Sequence, residues 1–128
     1  MQPTVSYITL ATNDIPKAVA FYRDVFGMAT GKETDTYAFL KSPGAMLALY
    51  HRKHWRSLTG TPAPAMVGGV LVSLNVGSET EVNAIIERAT AQGSLVQSDA
   101  TATEWGGYNG MIQTPEGHLW EIVFNPNL

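Results

Sequence analysis

The chain has 128 residues, 45% of them hydrophobic and 15% charged, a composition that fits one globular domain or two closely packed half-domains and excludes a disordered or fibrous chain. It contains no cysteine, which excludes disulfides, thiolate nucleophiles and Cys-ligated zinc. Eight Lys and Arg against eleven Asp and Glu leave a net charge of −3, and this argues against nucleic acid as a main partner, because that binding rests on neutralising phosphates.

Met1 to Asp14 lacks a basic start followed by an apolar run, so no signal peptide is expected. The uncharged stretch Ser57 to Ser78 is broken by Gly60, Pro62, Pro64, Gly68 and Gly69 and does not read as a membrane span. A soluble, cytoplasmic protein without a membrane partner is the expectation.

Val5 to Thr12 is β-branched and aromatic enough to predict a strand. Asn13 or Asp14 then offers a side-chain oxygen to cap a helix with Pro16 in its first turn. Ile15, Ala18, Val19, Tyr22, Val25 and Phe26 recur at three- and four-residue steps and form one apolar stripe, closed by Gly27. Strand-like pieces follow around Thr34–Leu40 and Ala45–His51, with a turn at Ser42-Pro43-Gly44. His51 to Val67 reads as a loop.

After this loop the plan repeats. Gly69 to Val76 predicts a strand, Ser78-Glu79-Thr80-Glu81 a capping box, and Val82, Ile85, Ile86 and Ala89 a second helical stripe ending at Gly93. Two or three strands then run from Leu95 to Phe124, turning at Thr114-Pro115-Glu116-Gly117. The order is βαβββ twice, with halves at 1–62 and 63–128. Leu10 and Thr12 recur as Leu74 and Val76, 64 residues on, and Gly44 recurs as Gly117, 73 residues on.

Tyr7-Ile8-Thr9-Leu10-Ala11-Thr12-Asn13-Asp14, then Ala20-Phe21-Tyr22 and Phe26-Gly27-Met28, resemble the opening motif of the vicinal oxygen chelate superfamily. This superfamily includes glyoxalase I, extradiol dioxygenases, and fosfomycin and bleomycin resistance proteins. Thr114-Pro115-Glu116-Gly117-His118-Leu119-Trp120-Glu121-Ile122 resembles its closing hairpin. Trp105-Gly106-Gly107-Tyr108 leading into that hairpin resembles a sub-group of small bacterial glyoxalase or bleomycin resistance family proteins. The resemblance implies an α+β fold of two βαβββ modules whose curved sheets form a cup, commonly as a homodimer.

It also implies four strand positions that hold a divalent metal in the enzymes of the superfamily. Seven residues before Asp14 the first falls on Tyr7; the repeat carries it to Leu71, and the last falls on Glu121, with Ala48 as its counterpart. One carboxylate and one phenol remain where a catalytic metal normally takes three protein ligands, so no metal cofactor is expected. Alternation supports this register. Leu71, Ser73 and Asn75 oppose Val70, Val72, Leu74 and Val76, while Leu119, Glu121 and Val123 oppose Trp120, Ile122 and Phe124.

Glu121 is the leading candidate, as an anchor for an amine or as a general base. Tyr7, Ala48, Leu71, Trp105 and Tyr108 are candidate ligand-binding residues, the last two with packing in the core or at a dimer interface as the alternative. Tyr37, Phe39, Met46 and Tyr50 fit either a cup lining or a plain core. His51 and His54 fit a solvated basic linker or a rim that attracts an anion. His118 fits a turn held by backbone bonds. The leading functional reading is binding of a small aromatic ligand in a metal-free cup. The alternative is a metal-independent isomerase or lyase with Glu121 as acid or base and Tyr7 as proton donor. A third is a metal-dependent lactoylglutathione lyase-like enzyme or dioxygenase with His51 and His118 as further ligands.

Overall fold

The structure, a computed structural model, describes residues 2–65 and 68–128. They form two compact units, Met1–Ala65 and Met66–Leu128, each with one four-stranded mixed sheet, and the fold is α+β. The first unit runs β1 (Tyr7–Thr12), α1 (Ile15–Phe26), β2 (Ala29–Glu33), β3 (Tyr37–Lys41), β4 (Met46–His51), a 3-10 turn over Arg52–His54, and α2 (Trp55–Thr59). The second runs β5 (Leu71–Val76), α3 (Glu79–Ala91), β6 (Leu95–Ala102), β7 (Tyr108–Gln113) and β8 (Leu119–Phe124). Strand order is β1-β4-β3-β2 in one sheet and β5-β8-β7-β6 in the other, so each unit pairs its first and last strands in parallel.

Local chemistry sets these elements. Asp14 Oδ1 accepts from the Lys17 N–H at 3.0 Å, Pro16 sits in the first turn, and Gly27 ends α1 at φ 73°. The six stripe residues of α1 are all buried. In α3, Val82, Ile85 and Ala89 are buried, and Ser78 Oγ accepts from the Glu81 N–H at 3.1 Å. Only the return bond of the capping box shifts by one residue, with Glu81 Oε2 accepting from the Gly77 N–H at 2.7 Å.

Three expectations change. Residues 29–33 form β2, which sequence pattern does not mark because an edge strand exposed on both sides of Gly31 carries no apolar period. Thr34 to Thr36 belong to a turn instead of a strand, with Thr34 Oγ1 accepting from the Tyr37 N–H at 3.0 Å. The expected loop after His51 contains the 3-10 turn and α2; Arg52 then ties this segment down through the carbonyls of Ala63 and Pro64. Met66 and Val67, the end of that expected loop and the residues just before the expected strand at Gly69, lie outside the described residues.

In each unit one face of the sheet packs against its helix. Leu10, Ala38, Leu40, Leu47 and Leu49 bury under α1, and Ile112, Trp120 and Ile122 bury under α3. The residues of opposite parity make the other face. The two sheets match in register, since Thr9 pairs with Ala48 as Ser73 pairs with Glu121, which reproduces the offsets of the repeat. Among the described residues no helix is long and apolar enough to cross a membrane.

Candidate functional site

On the second sheet the face away from α3 carries Leu71, Ser73 and Asn75 from β5, Leu119, Glu121 and Val123 from β8, and Asn109, Met111 and Gln113 from β7. Glu121 is only partly buried and both of its oxygens are engaged. Ser73 Oγ donates to Oε1 at 2.6 Å from one neighbouring strand, and Asn109 Nδ2 donates to Oε2 at 2.8 Å from the other. Both donors are neutral, so the side chain is fixed as an acceptor without a cationic partner in these bonds. Sequence reasoning selected Glu121 and missed the two residues that orient it. Ser73 and Asn109 were legible in principle, since alternation puts both on the Glu121 side of adjacent strands.

A groove of about 630 Å³ opens next to this cluster. Leu71, Met111, Gln113 and Leu119 line it along with Gln97, Ser98 and the backbone around Gly68, Gly69 and Gly117. Met111, which lines the groove, is the register partner of Glu121, so the two occupy neighbouring positions on this face. Leu71, 46% exposed, lies on this face as the sequence pattern implies.

The corresponding face of the first sheet is aromatic. Tyr7 lies 5.5 Å from Phe39 between ring centroids, Phe39 lies 5.4 Å from Tyr37, and Tyr37 stacks on Tyr50 at 6.4 Å with an interplanar angle of 12°. Lys32 Nζ stands 5.7 Å from the Tyr37 centroid. These four rings share the face opposite Ala38, Leu40 and Leu49, so Tyr37, Phe39 and Tyr50 line the open side instead of the core. Ala48 is on this side too but only 4% exposed, and Tyr7 is 53% exposed.

Trp105 and Tyr108 stand apart from the Glu121 cluster. Tyr108 shares its parity with Gly110 and Ile112, on the side of α3, and its hydroxyl donates to Asn83 Oδ1 of that helix at 2.8 Å. The same alternation, applied to β7, would have assigned it there. Trp105 occupies the β6–β7 turn with its ring over Gly107, where an added Cβ would fall 2.1 Å from the indole and 2.7 Å from the Phe124 carbonyl oxygen. That turn is tied by Gly107 N–H to Thr103 Oγ1 at 2.8 Å. His118 is buried, and its N–H donates to Thr114 Oγ1 at 3.1 Å while its carbonyl accepts from Thr114 N–H at 2.9 Å, which holds the β7–β8 turn. His51 Nδ1 accepts from the Lys53 N–H at 3.1 Å, and the His51 and His54 ring centroids are 6.2 Å apart.

The family model of the Glyoxalase/Bleomycin resistance protein/Dioxygenase superfamily matches residues 4–122. The chain belongs to that superfamily. A glyoxalase-related enzyme from Fulvimarina pelagi is 32% identical, with a TM-score of 0.89 over 98% of this chain and 90% of that one. A glyoxalase/bleomycin resistance protein/dioxygenase from Nocardioides is 28% identical, with a TM-score of 0.74 over 97% and 84%. The lactoylglutathione lyase from Agrobacterium tumefaciens, at 23% identity and a TM-score of 0.71 over 97% and 95%, shares the fold. No curated protein matches the sequence.

The superfamily's metal can be tested against the donors this chain offers. Of the four corresponding positions, Ala48 and Leu71 bring no donor atom, which leaves only the Glu121 carboxylate and the Tyr7 phenol. Among the described residues no three His, Asp or Glu come together in a way that could hold a metal ion. This donor set does not fit the group.

Proposed function

We propose that this superfamily member binds a small, largely aromatic organic ligand without a metal, and that Glu121 orients it. The observation that carries this reading is the Glu121 carboxylate, held by Ser73 and Asn109 on the sheet face whose Met111, its register partner, lines a groove of about 630 Å³. A volume of this order suits a small molecule, and an apolar lining with a few convergent polar groups is what recognition needs. The four-ring row of the first unit is a stacking surface in its own right, with Tyr7 at its exposed end.

The test is a thermal-shift screen of aromatic compounds against the wild-type chain and the Glu121→Gln and Ser73→Ala variants. A ligand at about 100 times its Kd adds about 2.7 kcal/mol of stability, which is easily read as a rise in Tm. The reading expects stabilisation by a subset of compounds that weakens in both variants. Stabilisation that ignores both substitutions, or that appears only with added divalent metal, would contradict it.

A further inference from the structure

We infer that the ligand carries a positive charge, an organic ammonium or amidinium on an apolar body, and that Glu121 is its counter-ion; this rests on the ligand-binding reading above. The two hydrogen bonds to Glu121 come from a hydroxyl and an amide, which fix the carboxylate without neutralising it. A carboxylate presents about four lone-pair sites, so two remain for an incoming donor.

The strands around Glu121 carry no Lys or Arg. Arg88 is the one Lys or Arg in residues 66–128. Arg88 sits in the last turn of α3, and α3 covers the opposite face of the sheet. The Glu121 face therefore has no Lys or Arg of its own among β5, β6, β7 and β8, and its groove is lined by hydrocarbon, thioether, amide and hydroxyl groups, all of them neutral. Leu71, Met111 and Leu119 suit an apolar or aromatic body, since a thioether makes favourable contacts with rings. An anionic ligand would meet a like charge at close range, which disfavours the wrong partner. An inorganic cation is poorly served by one carboxylate.

The test compares matched probes that differ only in charge: tryptamine, tryptophol and indole-3-acetate, with phenethylamine, 2-phenylethanol and phenylacetate as a second body. Calorimetric titration of the full chain should give an amine affinity at least about tenfold above the alcohol, with the acid weakest, because an ion pair that replaces a neutral contact is worth about one factor of ten or more. The amine's advantage should shrink as salt is raised, as the Debye length falls from about 10 Å toward 3 Å. It should disappear in Glu121→Gln. Met111→Lys, which sets an ammonium beside the carboxylate, provides the same readout should Glu121→Gln fail to fold, and should bring alcohol and amine level. Equal binding of alcohol and amine by the wild-type chain, or preference for the acid, would overturn the charge assignment and leave the ligand-binding reading standing. No binding by either series would overturn both.

Discussion

The positions that hold Ser73, Glu121 and Asn109 in the second unit hold Thr9, Ala48 and Tyr37 in the first, in the same register. One sheet face presents a carboxylate between two neutral donors. Its counterpart keeps the hydroxyl, replaces the carboxylate by a methyl group and fills the space with a row of four rings. The helix-facing sides differ far less, with Leu49 and Ile122 at matching positions and both almost wholly buried. Packing against a helix asks each unit for the same apolar pattern. The open faces are under no such demand, and there the two halves have become chemically distinct, one aromatic and one polar.

Substitutions can break or sharpen that contrast. The largest effects are expected where the halves agree: Leu49→Ala and Ile122→Ala should each cost about 3–4 kcal/mol by loss of buried hydrocarbon and the cavity left behind, read by denaturant unfolding. If either is tolerated, the helix-facing sides are not equivalent. Placing the second unit's carboxylate into the first, Ala48→Glu, should cost about 2–3 kcal/mol, because Thr9 supplies one donor and Tyr37 replaces the amide that would supply the other. A neutral outcome would mean that the aromatic face can solvate a charge. Gly107→Ala should cost about 2 kcal/mol and shift the Trp105 emission, since its Cβ meets the indole and the Phe124 carbonyl oxygen. Ser73→Ala should cost about 1 kcal/mol of stability, while its effect on ligand affinity is larger than that of Thr9→Ala.

The repeat was the most legible feature of the sequence, because the two helices announce themselves through caps at Asp14 and Ser78 and through apolar stripes that packing enforces. The parallel register of first and last strands follows from the same offsets. What escaped notice was local or lateral. β2 has no apolar period because it lies at a sheet edge, and α2 is a single short helix that follows the 3-10 turn capped by His51, in a segment where Arg52 reaches the carbonyls of Ala63 and Pro64. Glu121 was legible through its place in the closing hairpin, whereas its donors come from two different strands 48 and 12 residues away. Tyr108, grouped with Trp105 in the sequence, begins β7 with the parity that faces α3 and donates to Asn83 Oδ1, whereas Trp105 lies in the turn before it with its ring over Gly107.

The most direct test of the account is a backbone and side-chain amide NMR titration of the full chain with tryptamine. The account predicts that shifts concentrate on Ser73, Asn109, Met111 and Gln113, with Asn83 and Tyr108 on the helix side unmoved. Shifts centred on Asn83 and Tyr108, or on the His51–Arg56 segment with the Glu121 face silent, would contradict it.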